Sequence, residues 1–466
     1  MKKICRQLLA ATVALGVAVP GALAEDVPFQ TVARDMLRDS IAMRTVAGYG
    51  NVPEFAHYLE AKFLAGGFAR EDVTLIPVGE TMAMLVRYRG DGRSGKAPMV
   101  LSAHLDVVEA IPEDWERDPY TLIEEDGFLF GRGVSDNKFG VVMLATTFLR
   151  LKAEGFVPSR DMVIAFSGDE ETSMASTMVL AKRLAEEVKP DFAIVADGGG
   201  GLLDEEGKAV SFMVDSAEKT YASYTVTATN PGGHSSLPRK DNAIYDLAKA
   251  LVKLDAFEFP VMYSDLTLSY FEKSAPLIGG DVGAAMARFA KNPKDKKAVA
   301  TLRAQPEYVG STGTTCVATL LKGGHAENAL PQSATATVNC RIFPGVGVAK
   351  TLDMLKSVVA NDSLTWTVLD NPTESDASPL RDDVFGAVER AVHNRHAGIP
   401  VIPHMASGAS DSLHFRAAGI PSYTLTGIFM KAEDEYAHGL NERVPADNIP
   451  GALTMWHDLL TDLAGD

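Results

Sequence analysis

Short runs of consecutive apolar residues alternate, over the first half of the chain, with longer segments whose apolar residues recur at helical spacing. The apolar runs predict strands at 73–77, 82–89, 98–103, 162–167 and 192–196. Helical spacing predicts helices at 139–154 and 173–188, and one long helix over 27–66 that stops at Gly66-Gly67. Such alternation is typical of an α/β domain with a mostly parallel sheet.

The pattern changes near Lys219, because the segment from Tyr221 to Thr229 alternates between apolar and polar side chains. The elements predicted after it are a helix at 242–254, strands at 314–322 and 333–342, a helix at 349–359 and a strand at 364–368. This strand-helix-strand-strand-helix-strand order is that of a ferredoxin-like α+β unit. Residues 256–310 interrupt it with a weak helical pattern, and the sequence assigns them no role.

The α/β pattern returns after residue 373. The elements predicted there are a helix at 380–396, a strand at 400–402, a loop at 403–412, a strand at 421–425 and a helix at 447–464. We therefore expect an α/β catalytic domain, split into 25–217 and 373–466, with a mostly parallel central sheet. An inserted α+β domain would occupy 218–372, with its own insertion at about 256–310.

The first 24 residues predict a signal peptide. A positively charged start at Met1-Lys2-Lys3 precedes an apolar stretch from Leu8 to Val19, and Ala22-Leu23-Ala24 matches a cleavage site. The stretch is short for a membrane anchor, which is the alternative interpretation. We therefore expect an exported protein, periplasmic or secreted, whose mature chain does not insert into a membrane.

Cleavage would remove three positive charges and no acidic residue, which changes the formal net charge from −17 to −20. An acidic surface of this kind argues against nucleic acid as a partner. Cys316 and Cys340 would be the cysteines that remain. Pairing of their predicted strands would place them opposite each other, and export permits a disulfide. Two free buried thiols are the equally weighted alternative.

Side chains that can bind a metal follow three of the predicted strands. They are His104 and Asp106 after the first, Glu170 and Glu171 after the second, and Asp197 after the third. Ligands bind at the carboxyl ends of the strands in open α/β sheets, so these side chains should converge. Because crowded carboxylates repel each other and resist desolvation, we expect a divalent cation among them.

A further carboxylate, Asp136, lies in a glycine-rich segment from Gly131 to Gly140, just before a predicted helix. It could cap that helix, since aspartate is favoured at this position. With the other metal-binding residues present, we favour a carboxylate that bridges two cations. The adjacent Glu170 and Glu171 could divide the work, one binding metal and the other moving a proton.

Six motifs together resemble the M20 family of metallopeptidases, which includes carboxypeptidases, aminoacylases, dipeptidases and a desuccinylase. They are Ser102-Ala103-His104-Leu105-Asp106, Gly131-Arg132-Gly133 with Asp136-Asn137-Lys138, Asp169-Glu170-Glu171, Asp197, Pro231-Gly232-Gly233-His234-Ser235-Ser236 and Ala437-His438-Gly439. They occur in the family's order and cover nearly all of the expected mature chain. The resemblance implies a zinc-exopeptidase-like catalytic domain and a lid or dimerisation domain through which the chain could form a homodimer.

The resemblance also implies a site for two Zn²⁺ ions in each subunit. His104 and Asp197 would bind one ion, Glu171 and His438 would bind the second, and Asp136 would bridge them. The peptide bond that follows Asp136 would be cis. Co²⁺ or Mn²⁺ in place of Zn²⁺ remains open.

Other residues would act on the substrate or support the metal ligands. By the same resemblance, Asp106 would orient His104, Glu170 would be the general base, and His234 would stabilise the developing oxyanion, often across a dimer interface. The implied substrate-binding residues are Asn328 and Arg341 in the lid and Gly408, Ser410 and Asp411 in a loop of the catalytic domain.

The implied function is hydrolysis of a peptide bond near a free C-terminal carboxylate by metal-activated water, as in carboxypeptidases and dipeptidases. N-acyl amino acids are the alternative substrates, because they also offer an amide beside a carboxylate; export weighs against a desuccinylase. A non-catalytic, metal-stabilised binding protein is a remote alternative, because Glu170 and all five implied ligands are present.

Overall fold

The computed structural model describes residues 27–465. The predicted signal peptide, 1–24, lies outside the described residues. Among the residues that are described, no helix is long and apolar enough to cross a membrane.

The helices and strands follow one another in the chain as an α/β block, a mixed block and a second α/β block. The helices are α1 Gln30–Ala42, α2 Val52–Ala65, α3 Lys138–Ala153, α4 Ala175–Arg183, α5 Ala243–Asp255, α6 Asp265–Ile278, α7 Gly280–Lys291, α8 Lys296–Arg303, α9 Pro306–Val309, α10 Val348–Val359, α11 Asp382–Arg395, α12 Asp411–Ala417 and α13 Asn448–Gly465. The strands are β1 Val73–Val78, β2 Thr81–Tyr88, β3 Met99–His104, β4 Ile123–Glu125, β5 Phe128–Phe130, β6 Met162–Ser167, β7 Phe192–Val195, β8 Gly200–Leu203, β9 Ala209–Glu218, β10 Thr220–Thr229, β11 Gly233–His234, β12 Thr315–Gly323, β13 Ala329–Leu330, β14 Ser333–Ile342, β15 Thr365–Leu369, β16 Val401–Ala406, β17 Ser422–Thr424, β18 Phe429–Lys431 and β19 Arg443–Pro445.

The large sheet has the strand order β1-β2-β6-β3-β7-β17-β9-β8-β18, and β16 pairs with β9. Its centre is parallel, because β6, β3, β7 and β17 run in the same direction. Every residue of β3 and β6 is buried, as expected for parallel strands covered by helices on both faces. The carboxyl ends of β3, β6 and β7 therefore lie side by side at one edge of the sheet.

The second sheet is antiparallel, with the order β12-β14-β10-β15. Its strands and its helices α5 and α10 follow the strand-helix-strand-strand-helix-strand order expected from the sequence. Cys316 of β12 pairs with Cys340 of β14, and the two form a disulfide. The alternative of two free thiols was therefore wrong.

Strand β12 is an edge of the second sheet and presents apolar side chains to solvent. Val317, Leu320 and Leu321 are 62–70% exposed. An exposed apolar edge strand can pair with another chain. The homodimer nevertheless stays a prediction.

Two elements differ from the sequence-based expectation. The helix expected over 27–66 is two helices, α1 and α2, because the turn between them contains Gly48 and Gly50 at positive φ (85° and 72°), which a helix cannot accommodate. The loop expected at 403–412 is shorter, because β16 extends to Ala406 and α12 begins at Asp411.

The insertion at 256–310 is mainly helical, with α6, α7 and α8 packed around a small core of their own. That core includes Phe271, Met286 and Phe289, all fully buried. Helix α6 also packs against the catalytic domain, since Leu266 shares a cluster with Met405 of β16. The insertion is thus a compact unit that also contacts the second α/β block.

Candidate metal centre and active site

His104 is the last residue of β3 and is almost completely buried. Its Nε2 lies 2.9 Å from Asp136 Oδ1 and 3.5 Å from Asp197 Oδ1. Burial alone would lower the pKa of His104, but the carboxylates of Asp197, Asp106 and Asp136 raise it well above its ordinary value. Negative charge is therefore concentrated around this imidazole.

Asp136 lies between two histidines. Its Oδ1 faces His104 and its Oδ2 lies 3.1 Å from His438 Nε2. The same His438 nitrogen lies 3.0 Å from Glu171 Oε1. The Asp136-Asn137 peptide is cis, as the resemblance implied. One carboxylate thus offers one oxygen to each half of the cluster, which is the arrangement of a bridging ligand.

The donor atoms fit divalent metal ions. Ligand atoms of His104, Asp136 and Glu171 lie within 4.8 Å of one another, and so do those of His104, Glu170 and Asp197. Imidazole nitrogens and carboxylate oxygens are the usual ligands of catalytic zinc. All five side chains that the resemblance implied as ligands belong to this one cluster, although the zinc ions themselves stay a prediction.

The two glutamates at the end of β6 resist ionisation in this setting. Burial, with the nearby Asp136 carboxylate, raises the pKa of Glu171 to about 7. Burial also raises the pKa of Glu170, with further contributions from the Asp197 and Asp411 carboxylates. Bound cations would supply the positive charge that so many buried carboxylates require.

Asp106 supports the cluster in two ways. Its backbone carbonyl accepts a hydrogen bond from His104 Nδ1 at 2.9 Å, and its Oδ1 lies 3.4 Å from the same nitrogen. Its carboxylate also accepts the backbone N–H groups of Glu170 and Glu171 at 3.1 and 3.0 Å. Asp106 therefore holds the end of β3 and the end of β6 in one relative position, which the sequence had not indicated.

Glu442 organises the loop that carries Asp136, and sequence reasoning missed it. The fully buried carboxylate accepts hydrogen bonds from the backbone N–H groups of Gly133, Ser135 and Asp136 at 2.7–3.0 Å. It also pairs with Arg132 at 2.7 Å, and Arg132 Nη2 donates to the carbonyl of Gly439.

This network ties together the segments that carry Asp136 and His438. The signal for it was Arg132 itself, since an arginine between two glycines in a buried loop requires an acidic partner. The sequence could not say which acid supplies that partner.

His234 and Asn328, which the resemblance placed in a lid domain, lie together but apart from the metal cluster. His234 of β11 pairs with Ala329 of β13, and the carbonyl of Asn328 accepts the N–H of Ser235. Both are exposed. His234 Nδ1 accepts a hydrogen bond from the Ser236 hydroxyl at 2.8 Å, and His234 shares no described contact with the metal ligands.

Arg341 of β14 connects the second sheet with the loop that follows β16. Its Nη1 donates to the carbonyl of Ser407 at 2.6 Å, beside the exposed Gly408. The guanidinium also lies over the ring of Tyr221, 4.8 Å from its centroid. Two of the implied substrate-binding positions, in different domains, are therefore neighbours.

Ser410 and Asp411 are turned inward rather than toward open space. Ser410 Oγ donates to Glu218, and the Asp411 carboxylate accepts hydrogen bonds from the hydroxyls of Ser167 and Thr177 at 2.7 and 2.6 Å. Both residues are buried. Their side chains support the site from beneath, so direct contact with substrate stays a prediction.

A cavity of about 410 Å³ opens beside the cluster. Asp136 and Asp197 form part of its polar wall. The apolar part of its lining is Leu202, Met213, Ile428 and Met430. Its size is typical of a pocket for a small ligand, and sequence reasoning did not predict it.

Histidines and carboxylates that converge at the strand ends of an α/β sheet are an arrangement in which a hydrolase can hold catalytic metal ions. The family model "Peptidase family M20/M25/M40" matches residues 100–462. The chain belongs to this family.

Known proteins similar to this chain differ in the activities that their names state. It is 30% identical over 360 residues to the N-fatty-acyl-amino acid synthase/hydrolase PM20D1 of Xenopus tropicalis, covering 76% of this chain and 70% of the relative. It is 23% identical to the probable carboxypeptidase S-like 2 of Dictyostelium discoideum, covering 81% and 74%. The structure of an M20 metallo-carboxypeptidase from Sulfolobus solfataricus matches with a TM-score of 0.65 at 18% identity, over 92% of this chain and 98% of that chain.

Proposed function

We propose that this protein is a di-zinc amide hydrolase that cleaves N-acyl amino acids, at the amide bond next to the free carboxylate. The observation that carries the proposal is the position of Asp136 between His104 and His438. His104 and Asp197 would hold one Zn²⁺, Glu171 and His438 the second, with Asp136 shared. Zinc, when bound, supplies Lewis acidity that polarises a carbonyl and makes water more acidic.

The protein's own groups would move the protons. Glu170 would accept a proton from the attacking water and deliver it to the leaving amine. Its position is held because its backbone N–H donates to Asp106. His234 would stabilise the oxyanion that develops on the scissile carbonyl, a role that comes from the family resemblance.

The apolar cavity supports an acyl group as the part of the substrate that lies beside the cluster. Leu202, Met213, Ile428 and Met430 give the cavity an apolar side that could cover an acyl chain, and the charged Lys431 and Glu435 line another part of it. A relative at 30% identity carries the name of an N-fatty-acyl-amino acid hydrolase. A carboxypeptidase on peptides with an apolar penultimate residue is the second candidate, which the carboxypeptidase S-like relatives support.

Lengthening the acyl chain of an N-acyl-leucine series should raise kcat/KM until the cavity is filled. Burial of each methylene is worth about 0.8 kcal/mol, or roughly fourfold in kcat/KM. Initial rates with acetyl, butanoyl, hexanoyl, octanoyl and decanoyl substrates measure this dependence. A flat series would contradict the assignment of the cavity.

Leu202→Asn should flatten the same series, because it puts a polar group into the apolar wall. Leu202 is 38% exposed, so the substitution should leave the fold intact. Val157→Asn is the matched control, since Val157 is 53% exposed and does not line the cavity. Equal chain-length dependence in both variants would place the acyl group elsewhere.

A further inference from the structure

A histidine outside the metal cluster is held in a defined position by a buried aspartate. Strands β16 and β9 run parallel and bring His404 opposite Asp215. His404 Nδ1 donates to Asp215 Oδ1 at 2.6 Å. A carboxylate on one ring nitrogen sets the orientation of the imidazole. The side chain of His404 is 33% exposed.

This pair lies next to the metal centre. Asp215 Oδ2 comes so close to Gly198, the residue after Asp197, that a β-carbon on Gly198 would lie 3.1 Å from it. Met213, on the same face of β9 as Asp215, lines the cavity beside the cluster.

The pair also lies close to the loop that Arg341 contacts. Ser407, whose carbonyl accepts the Arg341 hydrogen bond, is three residues beyond His404 in the chain. His404 therefore lies on the strand that leads into the loop contacted by Arg341.

The insertion supplies the other side of the His404 environment. The ring of Tyr270 in α6 lies 5.4 Å from the His404 ring, centroid to centroid. Lys273 Nζ, from the same helix, donates to the carbonyl of Val401 at 2.8 Å and so fixes α6 on β16. Among residues 27–465, no hydrogen bond partner is found for His404 Nε2. One edge of the ring is thus held by the protein and the other is free for a ligand.

We propose that His404, oriented by Asp215 and Tyr270, binds the free carboxylate of the substrate through Nε2–H, beside Arg341. The proposal rests on the proposed function, in which the substrate carries a carboxylate next to the scissile amide. Burial opposes a charged imidazole, but the Asp215 carboxylate outweighs it and raises the pKa of His404. The insertion at 256–310 then has a role in substrate specificity, because its helix α6 forms part of the carboxylate site.

Measuring ligand binding in a variant with little turnover tests the carboxylate site separately from the proposed hydrolysis. The metal-loaded Glu170→Gln chain, which should turn over substrate about 10²–10⁴-fold more slowly, is titrated calorimetrically with N-decanoyl-leucine and with N-decanoyl-leucinamide, which lacks the carboxylate. Adding His404→Leu should raise the Kd of the acid by roughly tenfold to 100-fold, as expected for a charge-assisted hydrogen bond. The Kd of the amide should stay unchanged. Tyr270→Leu should raise the Kd of the acid by a smaller factor.

His457→Leu is the matched control, because His457 also contacts a carboxylate, that of Glu154, and its side chain is 22% exposed. It should change neither Kd. If His404→Leu raises the Kd of the acid and of the amide equally, His404 has a structural role and the proposal is overturned. An unchanged Kd for both ligands would also overturn it. If the chain with native His404 binds neither ligand and the wild type hydrolyses neither, the proposed function fails, and the carboxylate site fails with it.

Discussion

Glu170→Gln is expected to lower kcat by about 10²–10⁴-fold, the usual contribution of a positioned general base. The side chain keeps its size, and the backbone N–H of Glu170 still donates to Asp106. Bound zinc should stay the same, since the proposed ligands are His104, Asp136, Glu171, Asp197 and His438. Steady-state kinetics and metal analysis by mass spectrometry on the same preparations measure both quantities.

The metal content decides between two roles for Glu170, because its carboxylate also lies within 4.8 Å of ligand atoms of His104 and Asp197. If Glu170→Gln loses one metal ion, Glu170 is a ligand and the proposed base is wrong. Glu171→Gln is the matched comparison at the adjacent position, and it should lose metal as well as activity. Full activity in Glu170→Gln would contradict the mechanism.

Glu442→Gln is expected to destabilise the protein by about 3–5 kcal/mol, because it leaves the buried Arg132 guanidinium without its partner. Metal affinity should also fall, by about 10–100-fold, the usual effect of losing a group that positions metal ligands. The loop with Asp136 and the turn after His438 would both lose an anchor. Chemical denaturation and competition with a chelator measure the two effects.

The double variant Arg132→Met with Glu442→Gln separates charge from position. Removing the unpaired charge should restore much of the stability. It should not restore metal affinity, since the backbone N–H groups of Gly133, Ser135 and Asp136 still lack their carboxylate. Wild-type metal affinity in the double variant would show that Glu442 acts on stability alone.

The part of the site at the strand ends could be predicted because buried parallel strands appear in the sequence as apolar runs. His104, Glu171 and Asp197 follow such runs, so their convergence needed only the rule that parallel strands end at one edge. Asp136 and His438 lie on irregular segments with no periodic pattern. The glycine-rich segment and the other metal-binding residues pointed to Asp136 as a bridging carboxylate, whereas His438 came from the family resemblance alone. The structure brings both into the cluster.

Contacts between distant segments could not be predicted. Glu442 is an ordinary acidic residue in the sequence, and only tertiary packing buries it against Arg132. The same holds for Tyr270 against His404, since the weak helical pattern of the insertion does not say where α6 packs. Gly48 and Gly50 indicate a break between α1 and α2, but the helical spacing of apolar residues on both sides favoured one continuous helix.

The metal stoichiometry of the full-length protein tests the two-metal site most directly. Protein depleted with a chelator is titrated with Zn²⁺, with bound metal and hydrolysis of N-decanoyl-leucine followed together. The account predicts two Zn²⁺ per chain, activity that requires both, and loss of both ions in Asp136→Ala, since this carboxylate lies between His104 and His438. Full activity with one ion, or in the metal-depleted chain, would contradict it.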